Sequence, residues 1–562
     1  MRLCFPSLVV FTVAAAVLLV RCAAQADPGP RQPSKKFIQL GWDMPSTAYL
    51  RANWQQMEKD PLFDGVIYEL WADAPGDAVS TEAFWDARPW KREWFAQAIA
   101  DLRSCKFATL TDNFVRVNAT PGSLDWYDDS AWEVLAEKVG IVAWVVREGG
   151  QKGICLDFES YGEPQFQFDP SKGHTFAETS AVARRRGAQF MRAVATERPD
   201  AVILTLWLNS VNLAAGAMDD PAAILVSSNQ GLLPAFVDGM LDALPQTMIL
   251  VDGCENAYRY DSAESYLDAF NAIRQFAGPA ARLVSPENRP KYRGQVQAGF
   301  GFYLDAYINP ETSPWHIGGH GGSRLARLRQ NLQHARRICD EYIWVYGERY
   351  RWWPRSYSDP WASRGKMWED AMPGLTRAIR WARHPVAAAE LEVAAKRDAG
   401  TLINLAANPG FEDGVALDSG LPIGYGAWQD DASHGTFSLD RTVGRDSSAS
   451  GKMSGVRDGC FIQSFTVKPG EAYAVAAECL TRGTSVCTLV VRWQDPEGRW
   501  ACMDRDSVST FAPTRSGWAR CFNAIVVPEG AGRLVLLLAA NNQITSEDAC
   551  WFDNVGVYKL SE

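Results

Sequence analysis

Short apolar runs alternate with longer segments of helical periodicity through the first two thirds of the chain. Each run is a few residues long and is bounded by turn residues, which is the pattern of a buried strand. The segments between the runs are predicted as helices, because their apolar residues recur on one helical face. Eight runs are predicted as strands, at positions 37–43, 65–70, 107–114, 153–159, 201–209, 247–254, 295–305 and 342–348.

Eight strands that alternate with helices over about 350 residues indicate an α/β fold, a (β/α)8 barrel of the TIM type. An open doubly wound sheet is the competing arrangement, and it usually has a glycine-rich phosphate-binding turn after the first strand. Here the first strand runs into Gly41, Trp42, Asp43, Met44 and Pro45, which do not form such a turn. The barrel is therefore the prediction.

The last third of the chain has a different pattern, with short runs of alternating apolar and polar residues between glycine-containing turns. This alternation is typical of strands with one buried face, as in a two-sheet sandwich. Predicted strands lie at positions 460–467, 473–480, 486–494, 519–527 and 533–540. We therefore predict a catalytic barrel at 35–385, a helical connector at 386–400 and an all-β sandwich at 401–562.

The first residues have the features of a secretory signal peptide. A basic residue precedes an apolar run at 8–20, and small residues follow the run. The run is too short to span a membrane well, so residues 1–26 are predicted to be a cleaved signal. Lipid attachment at Cys22 is the alternative, but Arg21 is a poor fit to the small residue that such sites need. We expect a secreted, periplasmic or cell-surface protein without a membrane span.

Composition narrows the classes of partner. The chain has 562 residues, a net charge of −10 and no basic stripe, which argues against a nucleic-acid partner. Its 22 tryptophans fit either core packing or a cleft in which aromatic rings stack on sugars. Six of its 12 cysteines lie in the predicted sandwich, where an exported protein can form up to three disulfides. No C-x-x-C pair occurs, so a zinc site is not predicted.

Carboxylates, amides and aromatic residues close nearly every predicted barrel strand. Chemistry in such barrels lies at the carboxyl ends of the strands, although each of these residues taken singly is also a common helix cap or loop residue. Converging on one rim, they suit a neutral polyhydroxylated ligand, because rings stack on sugar faces and carboxylates bind hydroxyl groups. The predicted substrate-binding residues are Trp42, Asp43, Glu69, Asp112, Trp207, Asn209, Tyr303, Asp305, Trp344 and Tyr346.

Asp157 and Glu159 are the predicted centre of the chemistry. They flank Phe158 at the end of the fourth strand, so they share one face and Phe158 takes the other. Repulsion from Asp157 is expected to raise the pKa of Glu159, which makes Glu159 the predicted general acid. Glu348, across the barrel, and Glu255, on the sixth strand, are the candidates for nucleophile or base. If neither faces Glu159, the remaining alternative is assistance by an N-acetylated sugar.

The stretch from Lys152 to Glu159, K-G-I-C-L-D-F-E, resembles the fourth-strand motif D-G-x-D-x-D-x-E of family 18 chitinases. Gly153, Asp157 and Glu159 match, whereas Lys152 and Cys155 replace the first two aspartates. The resemblance implies a barrel glycoside hydrolase with its acid on strand four, acting on a poly- or oligosaccharide without a catalytic cofactor. An inactive glycan-binding barrel is the alternative. An esterase is less favoured, because no G-x-S-x-G elbow is present.

The sandwich carries a second resemblance. Residues 404–414, N-L-A-A-N-P-G-F-E-D-G, are similar to the opening motif of jelly-roll carbohydrate-binding modules of the family 4/9/22 type. Residues 551–555, W-F-D-N-V, resemble the closing strand of those modules. The resemblance implies a structural calcium held by Glu412 and Asp553, although Asn554 departs from the pattern. Sugar binding, with Trp428 and Trp493 as platforms, and a purely packing role both remain open.

Overall fold

Nine short parallel strands form a barrel-like sheet in the computed structural model, which describes residues 35–59, 61–122, 124–319, 322–353, 366–446, 448–514 and 517–561. The predicted signal peptide lies outside these residues. The strands are β1 (Lys36–Gly41), β2 (Gly65–Tyr68), β3 (Phe114–Asn118), β4 (Gly153–Asp157), β5 (Val202–Thr205), β6 (Ile249–Asp252), β7 (Val296–Ala298), β8 (Phe300–Tyr303) and β9 (Tyr342–Gly347).

The sheet is nearly closed. Its strand order is β8-β9-β1-β2-β3-β4-β5-β6-β7, and only Gly299 separates β7 from β8 along the chain. The two ends of the sheet are therefore consecutive pieces of one segment. All five residues of β4 are buried, as are all residues of β2, β3 and β5. Burial on both faces is what a parallel sheet covered by helices requires.

Helices follow most of the barrel strands. The longer ones are α1 (Thr47–Glu58), α2 (Ala96–Ser104), α3 (Asp129–Glu148), α4 (Phe176–Glu197), α5 (Leu233–Ala243), α6 (Ala263–Arg274), α7 (Arg324–Ile338), α8 (Leu375–Arg383) and α9 (Pro385–Asp398). The shorter ones are Leu213–Gly216, Ala222–Leu225, Pro279–Arg282, Arg289–Gln295 and Trp368–Ala371. A small hairpin pairs Trp71–Asp73 with Ala78–Ser80. Of the helices described, none is long and apolar enough to cross a membrane.

The fourth unit shows why the local sequence folds in this way. Helix α4 begins at a capping box, in which the Thr175 side chain accepts from the Glu178 N–H while the Glu178 carboxylate accepts from Thr175. Phe158 lies on the buried side of the segment after β4, with its ring 5.3 Å from that of Phe166 and 6.2 Å from that of Phe236. These aromatic rings support β4 from behind and leave the other side of the segment facing the mouth of the barrel.

The third strand was predicted in the wrong place. The strand is Phe114–Asn118 and not 107–114, because the alternating stretch before it forms turns that contact β1 and β9. Asp112 accordingly precedes its strand. Its carboxylate accepts from the Tyr342 hydroxyl at 3.1 Å and lies 3.2 Å from Lys36 Nζ. Both partners are at the amino ends of their strands, so Asp112 lies at the mouth opposite to the one predicted.

Two antiparallel sheets make up the C-terminal part. The strands are β10 (Gly426–Gln429), β11 (Thr436–Asp440), β12 (Ser450–Ser454), β13 (Asp458–Thr466), β14 (Ala472–Arg482), β15 (Val486–Gln494), β16 (Ser507–Thr510), β17 (Ala519–Val526), β18 (Arg533–Asn541) and β19 (Ala549–Lys559), with the two-residue pieces Trp500–Ala501 and Ala512–Pro513. One sheet has the order β10-β13-β18-β15 with β16 on β15, and the other β11-β12-β19-β14-β17. The five predicted sandwich strands are confirmed to within a few residues.

The barrel and the sandwich pack against each other within one compact unit that begins at Lys35. Their contact is an apolar cluster in which α8 and α9 contribute Trp381, Ala389 and Val393. The sandwich contributes Ala472, Ala474 and Leu560, which are buried in the same cluster. Helix α9 occupies the predicted connector, so the connector is part of a packed interface.

Candidate active site

Three glutamates follow the carboxyl ends of β4, β6 and β9. Glu159 comes two residues after Asp157, the last residue of β4. Glu255 begins a 3₁₀ segment just after β6, and Glu348 directly follows β9. Because the strands are parallel, their carboxyl ends open at one mouth of the barrel-like sheet, and all three glutamates lie there.

The turn that carries Glu255 is held by Asp252. Cys254 has a φ of +43°, in the left-handed region that residues with a Cβ seldom adopt. Its N–H donates to Asp252 Oδ1 at 3.2 Å, and the Ser210 hydroxyl donates to the same oxygen at 2.5 Å. Asp252 is buried at the end of β6. The strained backbone at Cys254 thus positions Glu255 at the start of the next segment.

Arg116 on β3 pairs with Asp157. Its Nη2 and Nε atoms donate to Asp157 Oδ2 at 2.7 and 3.1 Å, and its Nη1 lies 3.7 Å from Glu69 Oε1. Arg116 and Asp157 are both buried. Burial opposes the charge of Arg116, but the neighbouring Asp157 outweighs it and holds the pKa of the guanidinium above its usual range. This buried ion pair supports the backbone of Glu159, because the Glu159 N–H donates to Asp157 Oδ1 at 3.0 Å.

Glu159 is exposed to solvent, and its pKa is raised above the ordinary value of a glutamate. Enclosure by the surrounding rim is the largest cause of its raised pKa, and the charges of Asp157 and Glu348 add to it. The Tyr161 hydroxyl, which donates to Glu159 Oε2 at 2.8 Å, acts in the opposite direction, as does Arg116. Asp157 therefore contributes as predicted, but second to burial.

Glu255 has a strongly raised pKa. Burial and, after it, the charges of Glu159 and Asp157 together raise this pKa to about 8, against a hydrogen bond with Tyr258. The charge of Glu159 thus acts on Glu255 across the mouth of the barrel-like sheet. Near neutral pH, Glu255 carries a proton.

Glu348 is held by tyrosines. The Tyr303 hydroxyl donates to its Oε2 at 3.0 Å and the Tyr346 hydroxyl to its Oε1 at 3.2 Å. The Glu348 N–H donates to Asp305 Oδ2 at 2.9 Å, and Arg349 Nε lies 3.0 Å from the other oxygen of Asp305. Asp305 is buried, and burial raises its pKa to about 6. Asp305 therefore supports Glu348 from below and does not reach the open mouth.

Aromatic rings wall the space beside the glutamates. Tyr258 stacks on Tyr303 with ring centroids 5.3 Å apart and on Tyr346 at 6.0 Å, nearly parallel. Trp315 meets this stack edge-on. The Trp42 indole N–H donates to the Tyr346 hydroxyl, and 44% of Trp42 is exposed. The wall therefore offers flat apolar faces together with hydroxyl groups aimed at carboxylates.

Some residues predicted for the rim are buried inside the barrel. Trp344 is completely buried and donates to the Gly253 carbonyl at 2.9 Å. Asn209 is completely buried and donates to the Ala280 carbonyl at 3.1 Å. Trp207 is buried, and Asp43 accepts from the Gln39 amide at 2.9 Å. These residues shape the barrel beneath the mouth, whereas Glu69, Tyr303, Tyr346 and Trp42 contact the glutamates or their partners at the mouth itself.

The residues predicted for calcium lie together but are engaged otherwise. Glu412 accepts from the N–H groups of Ser448 and Ala449 at 2.9 and 2.8 Å. Buried Asp553 accepts from the N–H groups of Arg445 and Asn554, both at 2.7 Å. In the described part of the chain, no group of three or more histidine, cysteine or acidic side chains is arranged to hold a metal ion. Both carboxylates thus accept main-chain hydrogen bonds in this structure, and calcium binding at Glu412 and Asp553 stays a prediction.

The structure also bears on the two tryptophans and the disulfides that were considered for the sandwich. Trp428 is half exposed, whereas Trp493 is buried in the sandwich core and cannot be a platform. The ten cysteines among the described residues are free thiols. Nine of these ten cysteines are buried, and no disulfide joins any of them in the part of the chain that the structure describes.

Three residues of the site were not predicted from the sequence. Arg116 is a cation in an otherwise apolar strand, F-V-R-V-N, and that contrast was a usable signal. Tyr161 follows Glu159 by two residues, the spacing that allows its hydroxyl to return to the carboxylate. Tyr258 gave no signal in the sequence, because its place in the stack depends on the turn at Cys254.

Comparisons with known proteins leave the family open. No protein-family model and no curated protein matches the chain. Among solved structures, the enzymatically active domain of bacteriophage CBA120 tailspike protein 4 is 17% identical, with a TM-score of 0.23 over 28% of this chain and 22% of that one. The CBM22-1 xylan-binding domain of Paenibacillus barcinonensis Xyn10C is 13% identical, with a TM-score of 0.20 over 27% of this chain and 92% of that one.

An arabinose-bound α-L-arabinofuranosidase is 12% identical, with a TM-score of 0.22 over 29% of this chain and 27% of that one. The chain thus matches about a fifth of the tailspike protein and about a quarter of the arabinofuranosidase. TM-scores in this range do not establish a shared fold.

Proposed function

We propose that the chain is an exported glycoside hydrolase that cleaves a poly- or oligosaccharide at the mouth formed by β4, β6 and β9. The observation that carries the proposal is that Glu159 and Glu255 follow the ends of β4 and β6 at one mouth of the sheet, where the charge of Glu159 helps to raise the pKa of Glu255 to about 8. Glycosidic cleavage usually needs one protonated carboxyl group at the leaving oxygen and one ionised carboxylate opposite it.

The two carboxyl groups take different roles. Glu255 is the general acid, because burial and the charge of Glu159 keep its proton in place up to a pH of about 8. Glu159 is the ionised partner, because the Tyr161 hydroxyl and Arg116 both favour its charged form. Glu159 then acts as nucleophile or as base on a water molecule. This exchanges the roles expected from the sequence, since Glu255 is the more deeply buried of the two.

Asp157 and Arg116 are positioning residues in this proposal. Asp157 is committed to Arg116 through two hydrogen bonds and accepts from the Glu159 N–H. It fixes the backbone of Glu159 without reaching a substrate. Glu348, whose two oxygens accept from Tyr303 and Tyr346, is placed to accept a sugar hydroxyl and to set the charge felt by Glu159.

The surroundings favour a neutral sugar chain. Several acidic groups at one mouth repel an anionic ligand, whereas the exposed rings of Trp42, Trp71 and Tyr161 offer stacking surfaces. The segment at 163–172, which follows Glu159 in the chain, lines a cavity of about 410 Å³ together with residues 124–127. We propose this cavity as an additional place for sugar units of the substrate.

The same proposal covers the fold and the accessory part. We infer that the nine strands correspond to eight β/α units in which the seventh strand is broken at Gly299, because β7 and β8 are otherwise continuous. The sandwich, with half-exposed Trp428 on β10, is then an accessory carbohydrate-binding module of the jelly-roll type. Export follows from the predicted signal peptide at 1–26.

A leaving-group experiment tests the two roles. Glu255→Gln should lose about 10²- to 10⁴-fold in kcat on a natural glycan but little on an aryl glycoside whose phenol leaves without protonation. Glu159→Gln should lose turnover on both substrates. Glu264→Gln, on an exposed position of α6, is the matched control and should keep full activity. Released reducing ends on a broad polysaccharide panel provide the measurement.

Two outcomes contradict the proposal. If wild type releases no reducing ends from any polysaccharide but binds one of them, the chain is the alternative, a glycan-binding barrel without turnover. If Glu255→Gln and Glu264→Gln are equally active on the natural glycan, Glu255 is not the acid.

A further inference from the structure

A crevice of about 670 Å³ lies between helix α7 of the barrel and the sandwich. Arg327, His334 and Arg337 line it from α7, and Arg505 and Glu529 line it from the sandwich. Its walls are held together, since Arg327 Nη1 donates to Glu529 Oε1 at 3.3 Å. The apolar contact of α8 and α9 with the sandwich further fixes the two sides. The crevice is separate from the glutamates at the mouth, which line none of it.

The carboxylates of the crevice are already paired. Asp261 lies 2.5 Å from Arg327 Nε, Asp506 2.9 Å from Arg492 Nε, and Asp504 3.0 Å from Arg505 Nε. Glu529 accepts from Arg327, as described above.

By contrast, Arg336 and Arg337 on α7 also line the crevice, and neither has a carboxylate within 4.0 Å among the residues that the structure describes. Two guanidinium groups therefore face the space without a counter-charge.

The cations are close enough to act on one another. Burial and, after it, the charges of Arg505, Arg337 and Arg327 together lower the pKa of His334 to about 4. Arg337 is exposed at the edge of the crevice, and its pKa is lowered by partial desolvation there and then by Arg505 and Arg336. His334 is thus a neutral imidazole, and its Nδ1 is buried without a hydrogen-bond partner in the described residues. In a chain with a net charge of −10, this convergence of positive charge is unusual.

We propose that the crevice between α7 and the sandwich binds an oxyanion, the tetrahedral phosphate or sulfate group, with Arg337, Arg336 and Arg505 as its ligands. Guanidinium groups present paired N–H donors that match the oxygens of such an anion. A bound oxyanion would offset the mutual repulsion of the arginines. The neutral ring of His334 can supply one further hydrogen bond from Nδ1. The ligand is either a free inorganic anion or an ester group carried by a sugar chain.

Calorimetric titration tests this assignment. Inorganic phosphate, inorganic sulfate, a sulfated oligosaccharide and its desulfated form are titrated separately into the full chain. We expect saturable binding of one site per chain by at least one anionic probe and none by the desulfated sugar. Binding by the inorganic ions indicates a free anion, whereas binding by the sulfated sugar alone indicates an ester group on a glycan.

Variants locate the site. Arg337→Ala should weaken the binding about tenfold, because a charge-assisted hydrogen bond is lost. Arg337→Lys should weaken it less, because the charge remains and only the paired donors are lost. Arg185→Ala, an exposed arginine on α4 that pairs with Asp129, is the matched control and should bind as wild type does. Thermal unfolding without anion checks that each variant is folded.

Two results would overturn the assignment. One is the lack of saturable binding by any of the anionic probes to wild type. The other is equal affinity in wild type, in folded Arg337→Ala and in a folded Arg336→Ala/Arg337→Ala double variant, since the anion would then lie elsewhere. Because no hydrolysis is measured, both results are independent of the proposed glycosidic activity.

Discussion

At the scale of single residues, Arg116 determines how the acids at the mouth share their charge. It is buried between Asp157 and Glu69 and binds the first through two hydrogen bonds. A buried carboxylate without a partner is costly, so Asp157 depends on this guanidinium. Glu159 depends on it indirectly, through the hydrogen bond from its N–H to Asp157.

Arg116→Ala should therefore destabilise the chain by about 3–5 kcal/mol, because it leaves Asp157 buried without its counter-charge. Urea unfolding followed by circular dichroism measures the difference from wild type. The double variant Arg116→Met/Asp157→Leu should recover much of the loss, since neither charge is then buried. Equal stability of Arg116→Ala and wild type would show that Asp157 is solvated and not paired.

The proposed hydrolysis is predicted to depend on pH through the two raised pKa values. Glu255 must be protonated, so kcat/KM should fall as the pH rises through about 8. Glu159 must be ionised, so kcat/KM should also fall as the pH drops through its raised pKa. Glu348→Gln should move only the acid limb, toward lower pH, because it removes one charge that raises the pKa of Glu159. An unchanged acid limb in this variant contradicts the arrangement.

The position of Glu159 could be predicted from the sequence, whereas the main cause of its raised pKa could not. Alternation along β4 correctly predicted that Phe158 is buried and that Glu159 faces the other way. The sequence analysis attributed the raised pKa of Glu159 to repulsion from Asp157, whereas burial is the larger cause of the rise. The neutralisation of Asp157 by Arg116 depends on the pairing of β3 with β4, which a single sequence does not contain.

At the scale of elements, most strands could be predicted from the alternation of apolar residues, but the position of β3 along the chain could not. The stretch before β3 alternates like a strand, but it forms turns whose Asp112 binds Tyr342 and Lys36 at the amino ends of β9 and β1. Local propensity cannot distinguish these cases, because the deciding partners lie far away in the chain. The same holds for Trp344, which is inside the barrel although it precedes the rim.

Gly153 shows how tightly β4 is packed against β5. A Cβ placed there would lie 1.8 Å from the Val202 carbonyl oxygen, which is main chain and cannot move aside. Gly153→Ala should therefore destabilise the chain by about 1–3 kcal/mol. Gly294→Ala is the matched control, since a Cβ there meets nothing within 4 Å and Gly294 lies in a short helix. In thermal unfolding, Gly153→Ala should have a lower Tm than wild type, whereas Gly294→Ala should have an equal or slightly higher Tm.

At the scale of the whole molecule, the barrel and the sandwich form one compact unit. Buried Ala474 lies in the apolar cluster with Trp381 and Leu560 that joins them. We expect wild type to unfold in one calorimetric transition because of this contact. Ala474→Asp places a charge in the cluster and should split the transition into two, whereas Ala432→Asp, in an exposed turn, should leave it single. Two transitions in wild type would contradict the expectation.

The break at Gly299 has a consequence for self-association. The segment 296–303 pairs with β6 through its first half, β7, and with β9 through its second half, β8. The two ends of the sheet are therefore formed by the same segment. An open sheet exposes two full rows of unpaired N–H and C=O groups that can template the addition of a foreign strand. Here only half a strand is left unpaired on either side of Gly299, which is too short for that. Between the barrel-like sheet and the sandwich, the outer strands of the sandwich are therefore the more exposed to strand addition.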